Sequence, residues 1–497
     1  MTNIVGIDLG TTYSVVAYID DIGRPQIIKN EGKSITASCV EIDNDELIVG
    51  DQPEARFGKK GYKVGARFKR QMGETAEIQL GSRTFTPTDL SAAVLKKMRD
   101  VAEAANGPIT EAVITIPANF MQEARDATMV AAKKAGISVK HIINEPTAAA
   151  LYYCFKEGNS FDGKYVVYDL GGGTFDVSIV QANGTDIEVL ATEGVSKLGG
   201  DDFDRAIRDI ILDKYKEITG TEASEADIAL ADMAKLKIKL SEREKAPFLV
   251  NNDELVEVTR EEFEDKIKPL INQAEFLCEA VLDEADISVS DVKGVLLAGG
   301  STRVPAVKRS IAKAFKLEPI GTESVDEVVA LGAALYAAMK SESSELNATQ
   351  AASINKLKVS EIATYFFGTI SVQYNQSKKV DELSNSIIIN KGEKIPCSRT
   401  SEFFTMYENQ TELSCRVTKS GSPETDPRFV STVWEGKLEV PEGRPAGQKI
   451  EITYAFDNNG MMKCSFLDVE SDSVTKISLN DLPKGHTSSE IDKFLVE

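Results

Sequence analysis

Gly6-Ile-Asp-Leu-Gly-Thr-Thr12 and Tyr168-Asp-Leu-Gly-Gly-Gly-Thr174 follow one plan: an apolar strand closing on Asp-Leu, a glycine turn, then threonine. Glycine lets backbone approach a ligand closely, and successive N–H groups in such a turn form an anion-binding concavity. Thr11, Thr12 and Thr174 add hydroxyl donors. The two copies lie too far apart for a solenoid repeat. They suit two similar lobes facing each other across a cleft, with Gly10, Gly171, Gly172 and Gly173 clamping a polyphosphate. Asp8 and Asp169, at the strand ends, would hold Mg²⁺ through its waters, since Mg²⁺ favours oxygen ligands and keeps part of its hydration shell. The alternative is a pair of tight turns with no ligand. Neither GxxxxGK[ST] nor GxGxxG occurs, so this is no Walker A loop or dinucleotide fingerprint. A third glycine turn, LLAGGSTRVP (296–305), would seat a base and ribose on Gly299 and Gly300, with Arg303 stacking on the base. Taken alone, it reads equally as a strand-to-helix turn.

Outward from these turns, Ile4–Leu9, Ala112–Ile116, Tyr165–Asp169 and Gly294–Leu297 read as buried strands. Asp89–Asn106, Asp202–Thr219 and Glu261–Ala285 read as helices, so the first 345 residues or so form an α/β architecture. Ser341–Ser353 reads as a helix end and a surface segment. Beyond Ile362 the pattern turns to period two, as in Ile450, Ile452, Tyr454 and Phe456, or Leu413, Cys415 and Val417, with turn clusters between the runs. That is the signature of an antiparallel sandwich. The expected organisation is an α/β domain over 1–350, a linker over 351–362, an all-β sandwich over 363–485 and a helix start over 486–497.

The 497 residues allow two to four domains. With 57 basic against 78 acidic residues the net charge is −21, which argues against a nucleic-acid or acidic-membrane partner. The N-terminus shows no signal peptide, and the longest apolar-rich run, 148–155, is too short to span a bilayer. Six cysteines without a CxxC pair fit buried thiols in a reducing cytoplasm. His141 and His486 are the only histidines, so carboxylates, lysine, backbone amides and a metal must carry any chemistry.

At these motifs the chain resembles the heat shock protein 70 (DnaK-type) chaperone family. The matching segments are GIDLGTTYS (6–14), FKRQMG (68–73), VITIPANF (113–120), NEPTAAAL (144–151), DLGGGTFDVS (169–178), LGGDDFD (198–204) and GGSTRVPAV (299–307). KIPCSRTSEFFT (394–405), ENQTEL (408–413) and the stretch 433–466 match its second domain more loosely. The resemblance implies an actin-like two-lobed ATPase domain followed by a β-sandwich that binds peptide.

It also implies roles. Lys69 matches the lysine that orients the attacking water and the γ-phosphate; on its own it would read as a surface lysine. Glu145 matches an acid of the Mg²⁺ and water network, and Thr174 a hydroxyl beside the γ-phosphate. Together with Asp8 and Asp169 these are the expected catalytic groups. Gly199–Asp202, including Gly200 and Asp201, match the opposite wall. Tyr13 ends the first turn, where many members have Asn. Lys237 and Ser241 match adenosine contacts, Ser301 belongs to the third turn, and Asp326 lies near the base. Pro117 and Arg125 match a pair that relays nucleotide state to the second domain, although Pro117 alone could simply end a strand. Phe403, Met406, Leu413 and Cys415 match the peptide groove, with Val372 and Met406 arching over a bound chain. Ordinary sandwich core is the other reading of these apolar residues.

Departures are informative. Ala234 stands where a glutamate usually bonds the adenine side, which implies weaker nucleotide affinity. Lys358 and Ser360 interrupt the normally apolar linker, which weakens coupling by linker burial. Thr369 and Ser371 are polar where the family is apolar. The family ends in a helical lid, and the short segment from Thr487 cannot form one. The expectation is a cytoplasmic, lidless, ATP-dependent chaperone using ATP/ADP and Mg²⁺, with K⁺ as a further candidate ion. Its partners would be unfolded polypeptides, a J-domain co-chaperone and a nucleotide exchange factor. Two rivals are a small-molecule kinase of the same fold and a regulator that binds ATP with little turnover.

Overall fold

The computed structural model describes residues 4–478, except 45, 110, 252–253, 322–323, 342–345, 377–378 and 459. They form two compact units, the first ending at Val359 and the second beginning at Ser360. The expected helix start at 486–497 lies outside the described residues.

The first unit holds two sheets of like plan. In one, β1 (Ile4–Asp8) forms a hairpin with β2 (Tyr13–Ile19), β3 (Pro25–Ile28) extends it, and β4 (Glu111–Ile116) and β5 (His141–Asn144) run parallel on the other side of β1. In the other, β6 (Asp162–Leu170) forms a hairpin with β7 (Phe175–Asn183), β8 (Asp186–Val195) follows, and β9 (Val292–Ala298) lies parallel to β6. Asp8 pairs across its hairpin with Val15, and Asp169 with Asp176, so the two Asp-Leu-Gly turns occupy equivalent places in the two sheets.

Helices cover these sheets: α1 (Pro87–Asn106), α2 (Gln122–Lys134), α3 (Glu145–Glu157), α4 (Gly200–Thr219), α5 (Leu230–Glu242), α6 (Arg260–Glu284), α7 (Pro305–Phe315) and α8 (Val328–Lys340). Local sequence sets their starts. Thr86 and Asp89 cap the first turn of α1 reciprocally with Pro87 at its first position, and Thr259 and Glu262 do the same for α6. α8 is buried on nearly every side. It packs so closely that a Cβ on Gly6 would lie 2.1 Å from the Ala334 nitrogen, and one on Gly332 would lie 1.8 Å from the Ala148 oxygen. The second lobe closes over a core in which Phe203 and Phe263 meet edge to face at 6.3 Å. Each such ring, fully buried, contributes roughly 1.5–3 kcal/mol.

The segment after α8 differs from the expected surface stretch. A short helix, Ala348–Ile354, starts at Asn347, whose side chain accepts from the Thr349 and Gln350 N–H groups, and Ile354 is buried. A capping Asn in a polar run supplied a helix start that composition alone hides. Further on, Leu357 is buried and the Lys358 N–H donates to the Thr185 carbonyl.

The second unit is two four-stranded antiparallel sheets. β10 (Phe366–Asn375), β11 (Val380–Ile389), β13 (Glu412–Ser420) and β14 (Ser431–Glu439) form one, in the order β11-β10-β13-β14. β12 (Cys397–Phe404), β15 (Lys449–Phe456), β16 (Met462–Asp468) and β17 (Ser473–Ser478) form the other, in chain order. Ile450, Ile452, Tyr454 and Phe456 all face the core, as their alternation requires. The Tyr454 hydroxyl is satisfied by donating to the Gly368 carbonyl at 2.8 Å.

Candidate functional site

The turn after β1 and the turn after β6 interlock. A Cβ on Gly172 would lie 1.6 Å from Thr12 Oγ1, and one on Gly173 would lie 2.3 Å from Thr11 Cγ2. Only glycine allows this approach. The start of α4 docks on the second turn: the Gly200 and Asp201 N–H groups donate to the Gly171 and Gly172 carbonyls at 3.0 and 2.8 Å. Ser301 fastens the third glycine turn to the same place through the Gly171 carbonyl at 2.8 Å. Gly299 takes a left-handed φ of 79° there, against Leu170.

Between the turns lies a cleft of about 290 Å³. Asp8, Lys69, Glu145 and Asp169 line it, together with Gly10, Thr11, Thr12, Tyr13, Gly171, Gly172, Thr174, Gly200, Asp201, Lys237, Gly299, Gly300, Ser301, Arg303 and Asp326. Lys69 and Glu145 form a buried ion pair. Thr115 donates to Asp8 at 2.9 Å. Burial and the Glu145 charge push the Asp8 carboxyl up to about 7, against the pull of Lys69. The same two causes raise Asp169 well above the usual carboxylate range and Asp176 to about 8. Burial opposes the charge on Lys69, but Glu145 and Asp8 outweigh it and raise its pKa. The site is thus short of positive charge, and a cation would relieve it. The buried Thr12 hydroxyl, which has no hydrogen-bond partner in the structure, is placed to meet an oxygen-rich ligand. Among the described residues no three acidic, histidine or cysteine side chains converge into a metal cage. A Mg²⁺ ion here would therefore rely on water and on ligand oxygens besides Asp8 and Asp169.

The family described as "Hsp70 protein" matches residues 4–79 and 74–497. The chain is 34% identical to "Chaperone protein DnaK" of Mycoplasma mobile over 510 aligned residues, covering 99% of this chain and 80% of that one. The DnaK of Thermotoga petrophila is 34% identical over 487 residues, 94% and 78% of the two chains, and that of Mycoplasmopsis agalactiae is 33% identical over 514, 99% and 81%. The chain belongs to the Hsp70 family. Membership makes it an ATP-hydrolysing chaperone with the two-lobed ATPase domain and β-sandwich of that family.

Several expected Hsp70 site residues stand elsewhere. Gly173 and Gly199 do not line the cleft; their Cβ positions are filled by Thr11 and Arg70 and by Gly172, so they serve the joint between turns. Ser241 does not line the cleft, and its hydroxyl donates to the Lys237 carbonyl one turn back at 2.9 Å. Asp202 pairs with Arg70 and Arg205 rather than lining the wall. Arg303 lines the cleft and is paired to Asp326 at 3.0 Å, an edge contact that leaves the face of its guanidinium open. Arg125 is buried, donating to the Phe120 carbonyl and to Asn144, the residue before Glu145. Pro117 is buried at the end of β4.

In the sandwich, Cys415, expected in the peptide groove, is buried in the core together with Val417, two residues on along the same face. Phe403 and Leu413 are half-buried against that core, while Val372 and Met406 are exposed. Thr369, expected as a polar groove residue, is buried and donates to the Arg416 carbonyl.

Sequence reasoning missed Glu54, Phe57, Arg67 and Asp204 in the cleft. Tyr13 donates to Glu54 at 2.5 Å, Arg67 binds Asp201 at 2.7 Å and Lys237 binds Asp204 at 2.8 Å. Asp204 was within reach, since it ends the LGGDDFD motif. Ala234, expected at the adenine side, does line the cleft; Ala231 and Ile238 join it there, and their i, i+3, i+7 spacing on one face of α5 was the available signal.

Proposed function

We propose that the cleft binds ATP with its triphosphate against the interlocked glycine turns, and that the chain couples hydrolysis to the exchange of extended apolar peptides on the sandwich. The observation that carries this is the turn pair itself: its glycines and threonines line the cleft beside Asp8, Asp169 and the Lys69–Glu145 pair. Phosphoryl transfer to water needs positioning and charge neutralisation more than a strong base. Lys69 orients the water and the terminal phosphate, Glu145 holds Lys69, and Thr174 donates to the phosphate. Asp8 and Asp169 would hold Mg²⁺, which when bound neutralises phosphate charge; K⁺ is a further ion that the excess of carboxylates would favour.

Arg125, through Asn144, adjoins Glu145, and this supports a path from the cleft by way of Pro117. Phe403, Leu413, Met406 and Val372 are the proposed peptide contacts. A J-domain protein and an exchange factor are the proposed partners, and the cytoplasm the proposed setting, which six unpaired cysteines fit. Single-turnover hydrolysis with and without an unfolded peptide tests the function: ATP should be cleaved without a small-molecule acceptor, and faster with peptide. Binding without cleavage would leave a regulator, and cleavage only with a phosphate acceptor a kinase.

A further inference from the structure

Away from the glycine turns, the polar side chains of the cleft are paired with one another: Tyr13 with Glu54, Arg67 with Asp201 and Lys237 with Asp204. α5 turns Ala231, Ala234 and Ile238 toward the cleft. The polar neighbours on the same helix are committed: the Lys237 ammonium binds Asp204 at 2.8 Å and the Gly200 carbonyl at 2.7 Å, and Ser241 bonds back to its own helix. Past the third glycine turn, Arg303 and Asp326 bind each other. Nucleobases differ chiefly in the donors and acceptors on their edges. Telling them apart requires matched polar partners, whereas an apolar wall accepts any flat ring through burial.

We infer that this wall holds the ring of a nucleoside triphosphate without reading its edge, so that the protein hydrolyses GTP and ITP as well as ATP, with Ala234 setting the breadth. The inference rests on the nucleotide reading of the cleft. It makes the triphosphate, not adenine, the recognised part of the substrate.

The test is kcat/KM for ATP, GTP and ITP, with titration calorimetry of each nucleotide. The three values should agree within about tenfold, because a wall without polar partners discriminates weakly. Ala234→Glu places an acceptor on a half-exposed helix face, where it can take a hydrogen bond from the adenine amino group and repel the guanine oxygen. It should raise the ATP-to-GTP ratio about tenfold. A wild-type preference for ATP above about a hundredfold, or an unchanged ratio in Ala234→Glu, would overturn the inference while ATP hydrolysis upheld the cleft. Failure of all three nucleotides to bind would instead overturn the nucleotide reading itself.

Discussion

The Lys69 ammonium is held by Glu145 and drawn on by Asp8 and Asp169, so its charge is secure although water is largely excluded. Its value to hydrolysis lies in the transition state, where the terminal phosphate and attacking water must align. Lys69→Ala should therefore keep ATP binding and lose about 10²–10³-fold in single-turnover rate, the range for one preorganised charged donor. Calorimetry beside quenched-flow hydrolysis checks this, and a wild-type rate would refute the role. Asp169→Asn should raise the Mg²⁺ concentration needed for half-maximal turnover, since it removes one of the two charges assigned to the ion. An unchanged Mg²⁺ titration would contradict that assignment. These four residues were legible because each sits in a short motif at a strand or helix end. Arg67 was not. It has a left-handed φ of 63° in an irregular loop, and its partner Asp201 is 134 residues away. No local pattern signals such a pairing.

Among the elements, the glycine turns and the core strands were readable because a turn after an apolar run constrains both neighbours. Cys415 shows the limit: period two marks a strand without saying which face is wet. The loop before β15 holds a second ionic cluster. Arg444 binds the buried Asp468, which also accepts from Ser471 at 2.6 Å. Burial pushes the Asp468 carboxyl up, but the bonds from Arg444 and Ser471 outweigh it and hold its pKa below the ordinary value. A depressed folded-state pKa means stability that is present above the unfolded value, near 4, and lost as pH falls through the folded one. The sandwich should thus lose stability below about pH 4, and Asp468→Asn should flatten that fall. Thermal melts followed by Trp434 fluorescence across pH 2–6 would show it, and parallel pH profiles for variant and wild type would speak against it.

At the scale of the molecule, the proposed nucleotide and peptide sites belong to separate units, the first ending at Val359. Leu413 is half-buried against the sandwich core, opposite Leu438 on β14. Leu413→Trp should fill any pocket beside it, reduce peptide affinity at least tenfold and leave basal ATP hydrolysis intact, because affinity in apolar grooves rests on a few deep anchors. Fluorescence anisotropy of a labelled peptide measures the first and phosphate release the second. Unchanged peptide affinity would place the groove elsewhere. The two-unit division was legible from the change of hydrophobic period. The cap at Asn347 and the burial of Leu357 were not, because a polar run hides the first and one apolar residue does not announce the second.

Arg67–Asp201 and Arg70–Asp202 join the segment before Gly73 to the start of α4, and so span the cleft from lobe to lobe. Both pairs are shielded, and shielded charges respond little to added electrolyte. Parting these two elements breaks both guanidinium–carboxylate contacts, so the pairs should slow the release of spent nucleotide. Raising ionic strength should scarcely change the dwell time of fluorescent ADP, whereas Arg67→Ala should shorten it. The residence of spent nucleotide would then depend on a pair of surface-shielded contacts and could be tuned apart from the rate of bond cleavage.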